Sequence, residues 1–227
     1  MDLFDSGFFM DLLSIFVINV ILSGDNAVVI AMASRTLPPK QATKAILFGS
    51  AAAIILRIIL TSIAVVLISL PYVQVIGGLL LIPIAVKLLI SEDDGGNHKE
   101  ADSLREAIQT IVIADFLMSL DNVVAVAGVA RGNIPLLIIG LAISIPLIVF
   151  GSQVILFLMN KFKFIVYLGA GLLGYTSGEM IVGDKTIAKL INSNAASLEW
   201  IIPVVLTVLV IALGLFLNKR RTLQQES

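Results

Sequence analysis

Seven apolar stretches follow one another along the chain, near residues 10–33, 44–68, 73–90, 108–130, 134–158, 164–182 and 200–217. About 20 apolar residues in α-helical form cross roughly 30 Å of hydrocarbon. Each stretch therefore predicts a spanning helix, and the fold expected is an all-α membrane protein of seven transmembrane helices. Polar positions gather between the stretches. Two connections are very short, Ser69-Leu70-Pro71 before the third stretch and Gly132-Asn133 before the fifth, so those neighbours pack antiparallel. Only residues 91–107 (SEDDGGNHKEADSLREA) stay hydrophilic over any length; they predict a solvated cytoplasmic linker between two halves.

Two of the apolar stretches carry a polar tetrad inside them. The first is Ser23-Gly24-Asp25-Asn26 and the second Ser119-Leu120-Asp121-Asn122. An aspartate at the centre of a membrane helix costs about 2.5–3.5 kcal/mol on an insertion scale, which calls for a partner or a task. The surrounding segments, ILSGDNAVVIAMASR (21–35) and LMSLDNVVAVAGVAR (117–131), align at a constant offset of 96. Ser23 then pairs with Ser119, Asp25 with Asp121 and Asn26 with Asn122, while Asp115 has Asn19 as its counterpart.

The basic residues orient the chain. Loops on one side carry the eleven residues Arg35, Lys40, Lys44, Lys87, Lys99, Arg105, Lys161, Lys163, Lys219, Arg220 and Arg221; the other side carries only Arg131, Lys185 and Lys189. The positive-inside rule puts the N-terminus outside and the C-terminus in the cytoplasm. Spans one and four then run in opposite directions, so the tetrads form an inverted pair. Gly49-x-Ala51 in span two resembles Gly140-x-Ala142 in span five, and GGLLL (77–81) lines up with GAGLL (169–173). The expected plan is one transmembrane domain, 1–227: repeat 1 over about 10–90, the linker, repeat 2 over about 108–182, and a seventh helix near 200–217. Inverted repeats with interrupted helices around a midplane site are characteristic of secondary transporters.

Composition narrows the chemistry. Of 227 residues, 58% are hydrophobic and 14% charged, against roughly 25% charged in a soluble domain. There is no cysteine, and the single histidine, His98, lies in the linker, so a thiolate or imidazole metal site is excluded within the membrane. No Lys or Arg precedes Arg35, which does not fit a secretory signal peptide. No nucleophile–base constellation, HExxH or P-loop motif is present, so no enzymatic activity and no cofactor are expected. The expected partners are the lipid bilayer and a divalent ion as substrate, with no nucleic acid; a homo-oligomer stays open.

Gly24 weakens the first helix, and an unwound turn at each tetrad would expose carbonyl oxygens beside the Asp and Asn side chains. An all-oxygen set of this kind suits Mn²⁺, Mg²⁺ or Ca²⁺. The candidate ligands are Asp25, Asn26, Asp115, Asp121 and Asn122, with Asn19, Ser23, Ser119 and Glu179 as outer candidates. Glu179 reads either as a proton acceptor or auxiliary ligand, or as an interfacial carboxylate. Arg57, inside span two, reads as the counter-charge to Asp25 or Asp121 when metal is absent, or as a structural partner of backbone carbonyls. Met32 and Met118 read as packing, or as a thioether favouring Mn²⁺. Gly169, Gly171, Gly174 and Gly178 give span six a small-residue packing face.

The motifs SGDNAVVIA and SLDNVVAVAGVA, their spacing, the LRI of span two and the seven-span layout resemble the TerC family of integral membrane proteins, over roughly Met10 to Leu217. The resemblance implies that Asp25, Asn26, Asp121 and Asn122 are the family's acidic and amide motif positions, with Asp115 its other acid in the fourth span. It further implies Mn²⁺ efflux across a bacterial cytoplasmic membrane. The alternatives are a non-transporting membrane partner of a metal- or tellurium-resistance or secretion complex, or an exporter of an oxyanion or small solute.

Overall fold

The computed structural model describes residues 6–63, 70–90, 100–130, 133–194 and 197–225. Every regular element among them is α-helix: α1 (Ser6–Leu22), α2 (Gly24–Ser34), α3 (Pro39–Ser62), α4 (Val73–Ile90), α5 (Glu100–Ala130), α6 (Ile134–Lys161), α7 (Phe164–Gly183), α8 (Lys185–Asn194) and α9 (Leu198–Gln225). Local chemistry sets several ends. Proline occupies the first turn of α3, where no amide donor is needed. Asn133 caps α6, its Oδ1 accepting from the Leu136 amide at 3.1 Å.

Among the described residues, five helices are long and apolar enough to cross a membrane: α3, α4, α6, α7 and Leu198–Arg220 of α9. Helices α1 and α2 make a sixth crossing if the pair, bent by 50° at Ser23, is one span. The expected span at 108–130 falls inside α5, whose 31 residues extend about 46 Å.

Helical structure extends beyond the apolar stretches at three places. First, α5 begins at Glu100, within the expected linker 91–107, of which residues 91–99 lie outside the described residues. Its first turns are tied to α4, with Lys87 Nζ 2.6 Å from Glu106 Oε1 on the exposed surface. Second, the apolar stretch near 200–217 is the middle of a longer helix that runs to Gln225. Third, the segment between spans six and seven holds an amphipathic helix, α8, that no apolar run signals. Asp184, buried, caps it by accepting from the Thr186 amide at 2.9 Å.

Packing divides the helices into two groups that cut across sequence order. Helices α4, α7 and α9 form one group, joined at close backbone approaches. Gly178 faces Pro203, Gly174 faces the Thr207 backbone, Gly214 faces Leu89, and Ser177 Oγ donates to the Gly78 carbonyl. The expected packing role of the glycine face on span six is met. Helices α1, α2, α3, α5 and α6 form the other group. Within it Gly49 packs on Ile111 and Gly140 packs on Ile15. Ile15 and Ile111 are 96 residues apart, and Gly49 and Gly140 both lie in GxA segments, so the two contacts pair residues that the sequence offsets match. Outward, Ile55, Phe150, Phe157, Trp200 and Val208 are exposed, an apolar perimeter suited to lipid.

Candidate functional site

The first tetrad breaks its helix. Helix α1 stops at Leu22, Ser23 takes φ −106° and ψ 4°, and α2 restarts at Gly24. A serine at an N-cap usually folds its hydroxyl onto the new helix; Ser23 makes no such cap bond and turns its Oγ inward. The Leu22 carbonyl is left at the break. It accepts from Asn26 Nδ2 at 3.5 Å and from Asn122 Nδ2 at 3.2 Å, so the amides of both tetrads converge on one oxygen. Asp25 lies in the first turn of α2, where a carboxylate is favoured by the helix dipole, and its Oδ1 accepts from the Asn26 amide at 2.8 Å.

The second tetrad does not interrupt anything. Residues Ser119 to Asn122 sit within the continuous α5, which corrects the expectation of two unwound turns. The reason lies at one position: Gly24, a poor helix former, is matched by Leu120, a good one that is also buried. The side chain of Asp121 falls outside the described residues.

Behind the break, Arg57 organises a buried polar cluster. It is 2% exposed and reaches out with three nitrogens. Nε donates to Ser119 Oγ at 3.1 Å, NH1 to Asn19 Oδ1 at 2.8 Å and to Ser23 Oγ at 3.0 Å, and NH2 to Asp115 Oδ1 at 2.6 Å. Asp115 Oδ2 takes the Ser119 hydroxyl at 3.2 Å. Asn19 in turn donates from Nδ2 to Ser144 Oγ on α6. Arg57 is thus the counter-charge of Asp115 rather than of Asp25, and it is bonded to side chains rather than to backbone carbonyls. Its planar fork and permanent charge suit it to this role better than a lysine.

Of the nominated residues, the structure brings Asn19, Ser23, Asp115, Ser119 and Arg57 into one network, and Asn26 and Asn122 onto the neighbouring Leu22 carbonyl. Glu179 is exposed on α7. Met32 and Met118 belong to the apolar core, with Met32 Sδ lying against Gly169, so both pack. Two participants escaped the sequence: Ser144, one of two buried hydroxyls in an apolar helix, and the Leu22 carbonyl, which no side-chain pattern marks.

One polar atom in this region stays unmatched. Asn26 Oδ1 is buried and accepts no hydrogen bond among the described residues. A buried amide oxygen left without a donor costs about 1–3 kcal/mol, so Asn26 Oδ1 is an acceptor with unused capacity. Among the described residues no three His, Cys, Asp or Glu side chains group to hold a metal. The oxygens at the break are instead mixed: the Asp25 carboxylate, Asn26 Oδ1 and the Leu22 carbonyl.

Comparison with known proteins finds relatives over most of the chain. The model of the integral membrane protein TerC family matches residues 4–222. The membrane protein YjbE of Bacillus subtilis strain 168 is 45% identical over 209 residues, 92% of this chain and 95% of YjbE. The UPF0053 inner membrane protein YoaE of Escherichia coli K12 is 27% identical over 186 residues, 73% of this chain but 36% of YoaE, so the match spans about a third of that relative. YceF of Bacillus subtilis strain 168 is 27% identical over 161 residues, 65% of this chain and 61% of YceF. No solved structure matches.

Proposed function

The chain belongs to the TerC family, a multi-pass integral membrane protein with relatives in bacterial inner membranes, and from that premise we propose that it carries a divalent cation across the membrane. The observation that carries the proposal is the unmatched Asn26 Oδ1, buried beside Asp25 at a helix break onto which the second tetrad also converges. A broken helix presenting backbone oxygens next to a carboxylate is how transporters coordinate cations within the bilayer. Oxygen donors suit Mn²⁺, Mg²⁺ and Ca²⁺, and the family resemblance favours Mn²⁺ moving outward.

Alternating access between inverted three-helix repeats is the mechanism proposed, with seven crossings, the N-terminus outside and the C-terminus in the cytoplasm. The mirrored contacts Gly49–Ile111 and Gly140–Ile15 support the inversion. No enzymatic step and no resident cofactor enter this reading. An oxyanion substrate is disfavoured, because the Arg57 guanidinium already donates to Asp115, Asn19, Ser23 and Ser119.

Purified protein in liposomes, scanned with Mn²⁺, Mg²⁺, Ca²⁺ and Zn²⁺, tests the proposal. Mn²⁺ flux that survives a Zn²⁺ background is expected. If Asp25 and Asp121 share one ion, Asp25→Asn abolishes binding and Asp121→Asn adds little to it, giving coupling well above about 0.5 kcal/mol in a double-mutant cycle. Additive losses of stability with binding retained would assign the tetrads to helix packing instead.

A further inference from the structure

The four residues that receive the Arg57 guanidinium are two repeat-related pairs. Asn19 matches Asp115 and Ser23 matches Ser119, each at the offset of 96 that relates the tetrads. Arg57 itself has no such partner: the Gly49–Gly140 register places Ile148, an apolar residue, at its repeat position. One cationic group without a counterpart therefore stands between oxygens contributed in matching pairs by both repeats. That is the position a free cation shared by the repeats would occupy.

We infer that Arg57 is a tethered cation, holding this oxygen shell while the substrate ion is absent and yielding it when the ion enters. The inference rests on the divalent-transport reading above. Its physical basis is electrostatic. Asp115 is 5% exposed, and its charge is tolerated only beside a cation. A guanidinium is charged under all conditions, so the shell is never left as a bare anion between transport events. A divalent ion arriving through the break at Leu22 reaches Ser23 first, since Ser23 both ends the break and binds Arg57. Two cations cannot share that shell, and the arginine stem is long enough to withdraw its head. With the tether, the empty carrier can reverse its orientation with Asp115 neutralised; without it, only the ion-loaded carrier can.

The test separates exchange from net movement in proteoliposomes and adds direct Mn²⁺ binding. Arg57→Gln is expected to bind Mn²⁺ on the order of tenfold more tightly, since a competitor that occupies the shell has been removed. Its net Mn²⁺ flux should fall on the order of 100-fold, the penalty of moving an uncompensated carboxylate, while Mn²⁺/Mn²⁺ exchange persists. Equal or weaker binding, or joint loss of exchange and net flux in a folded variant, would assign Arg57 to structure and overturn the inference. Should Arg57→Gln not fold, Arg57→Lys serves: its single ammonium cannot span all four acceptors, so binding tightens by a few-fold with net flux kept. Unchanged or weaker binding there overturns the inference equally. If the parent protein neither binds nor moves any of the four metals, the transport reading itself fails, an outcome distinct from either result on Arg57.

Discussion

The two tetrads share Ser, Asp and Asn, yet one breaks its helix and the other does not. Glycine at position 24 against leucine at 120 accounts for the backbone difference. The consequence is a division of labour. The broken copy supplies a loose carbonyl at Leu22 and an unmatched amide oxygen at Asn26; the continuous copy supplies a rigid rail from which Asn122 reaches across to steady that carbonyl. The acids divide likewise. Asn19 and Asp115 are repeat partners, but only the second is charged, and the guanidinium between them accepts the asymmetry by bonding both.

The strongest way to break this comparison is at the charged pair. Asp115→Asn leaves Arg57 buried without a counter-ion and should cost about 3–5 kcal/mol of unfolding free energy in detergent. Moving the charge to the other repeat, Asn19→Asp with Asp115→Asn, should recover more than half of that loss, because both positions bond the same guanidinium. No recovery would show that the two positions are not equivalent. A middle-sized effect belongs to the Leu22 carbonyl. Asn122→Ala should cost about 1–2 kcal/mol, and Asn26→Ala less, since its bond is longer and its oxygen is unmatched. Equal losses would mean that the two copies brace the break alike. The smallest effect sharpens the cause of the break. A Cβ at Gly24 meets nothing within 4 Å, so Gly24→Ala should stabilise the protein by about 0.5–1 kcal/mol through helix propensity. Divalent flux should nevertheless fall in that variant as the break stiffens; an increase would separate flexibility from transport.

Much of this was legible in the residue pattern. Apolar runs place the helices, because lipid forces backbone groups to pair within each segment. The offset of 96 identified Asn19, Ser23, Asp115 and Ser119 as related before any contact was known. What the pattern could not give is which acid Arg57 selects. Asp25 and Asp115 both lie in apolar sequence, and the choice depends on how α3 packs against α5, a property of the folded bundle. The continuity of α5 through the second tetrad was misread for a related reason. Serine, aspartate and asparagine favour interruptions only weakly, and without glycine the helix prevails. Helix α8 went unseen because its order comes from the buried Asp184 cap and from amphipathicity over ten residues, too short to register as an apolar run.

The glycine contacts among α4, α7 and α9 carry a mechanical meaning. Gly78 against Ser177, Gly174 and Gly178 against Thr207 and Pro203, and Gly214 against Leu89 close all three edges of a triangle. Where backbone meets side chain or backbone this closely, no long rotamers remain to absorb sliding, and dense packing transmits a push rather than damping it. The triangle therefore behaves as a single plate, although α4 precedes the hydrophilic connection and α7 and α9 follow it. Chain connectivity and load-bearing connectivity are different maps in this molecule. Close glycine contacts also tie this trio to the other group, Gly77 on Leu120 and Gly169 on Met32 and Val28, so a push on the trio reaches α2 and α5 directly.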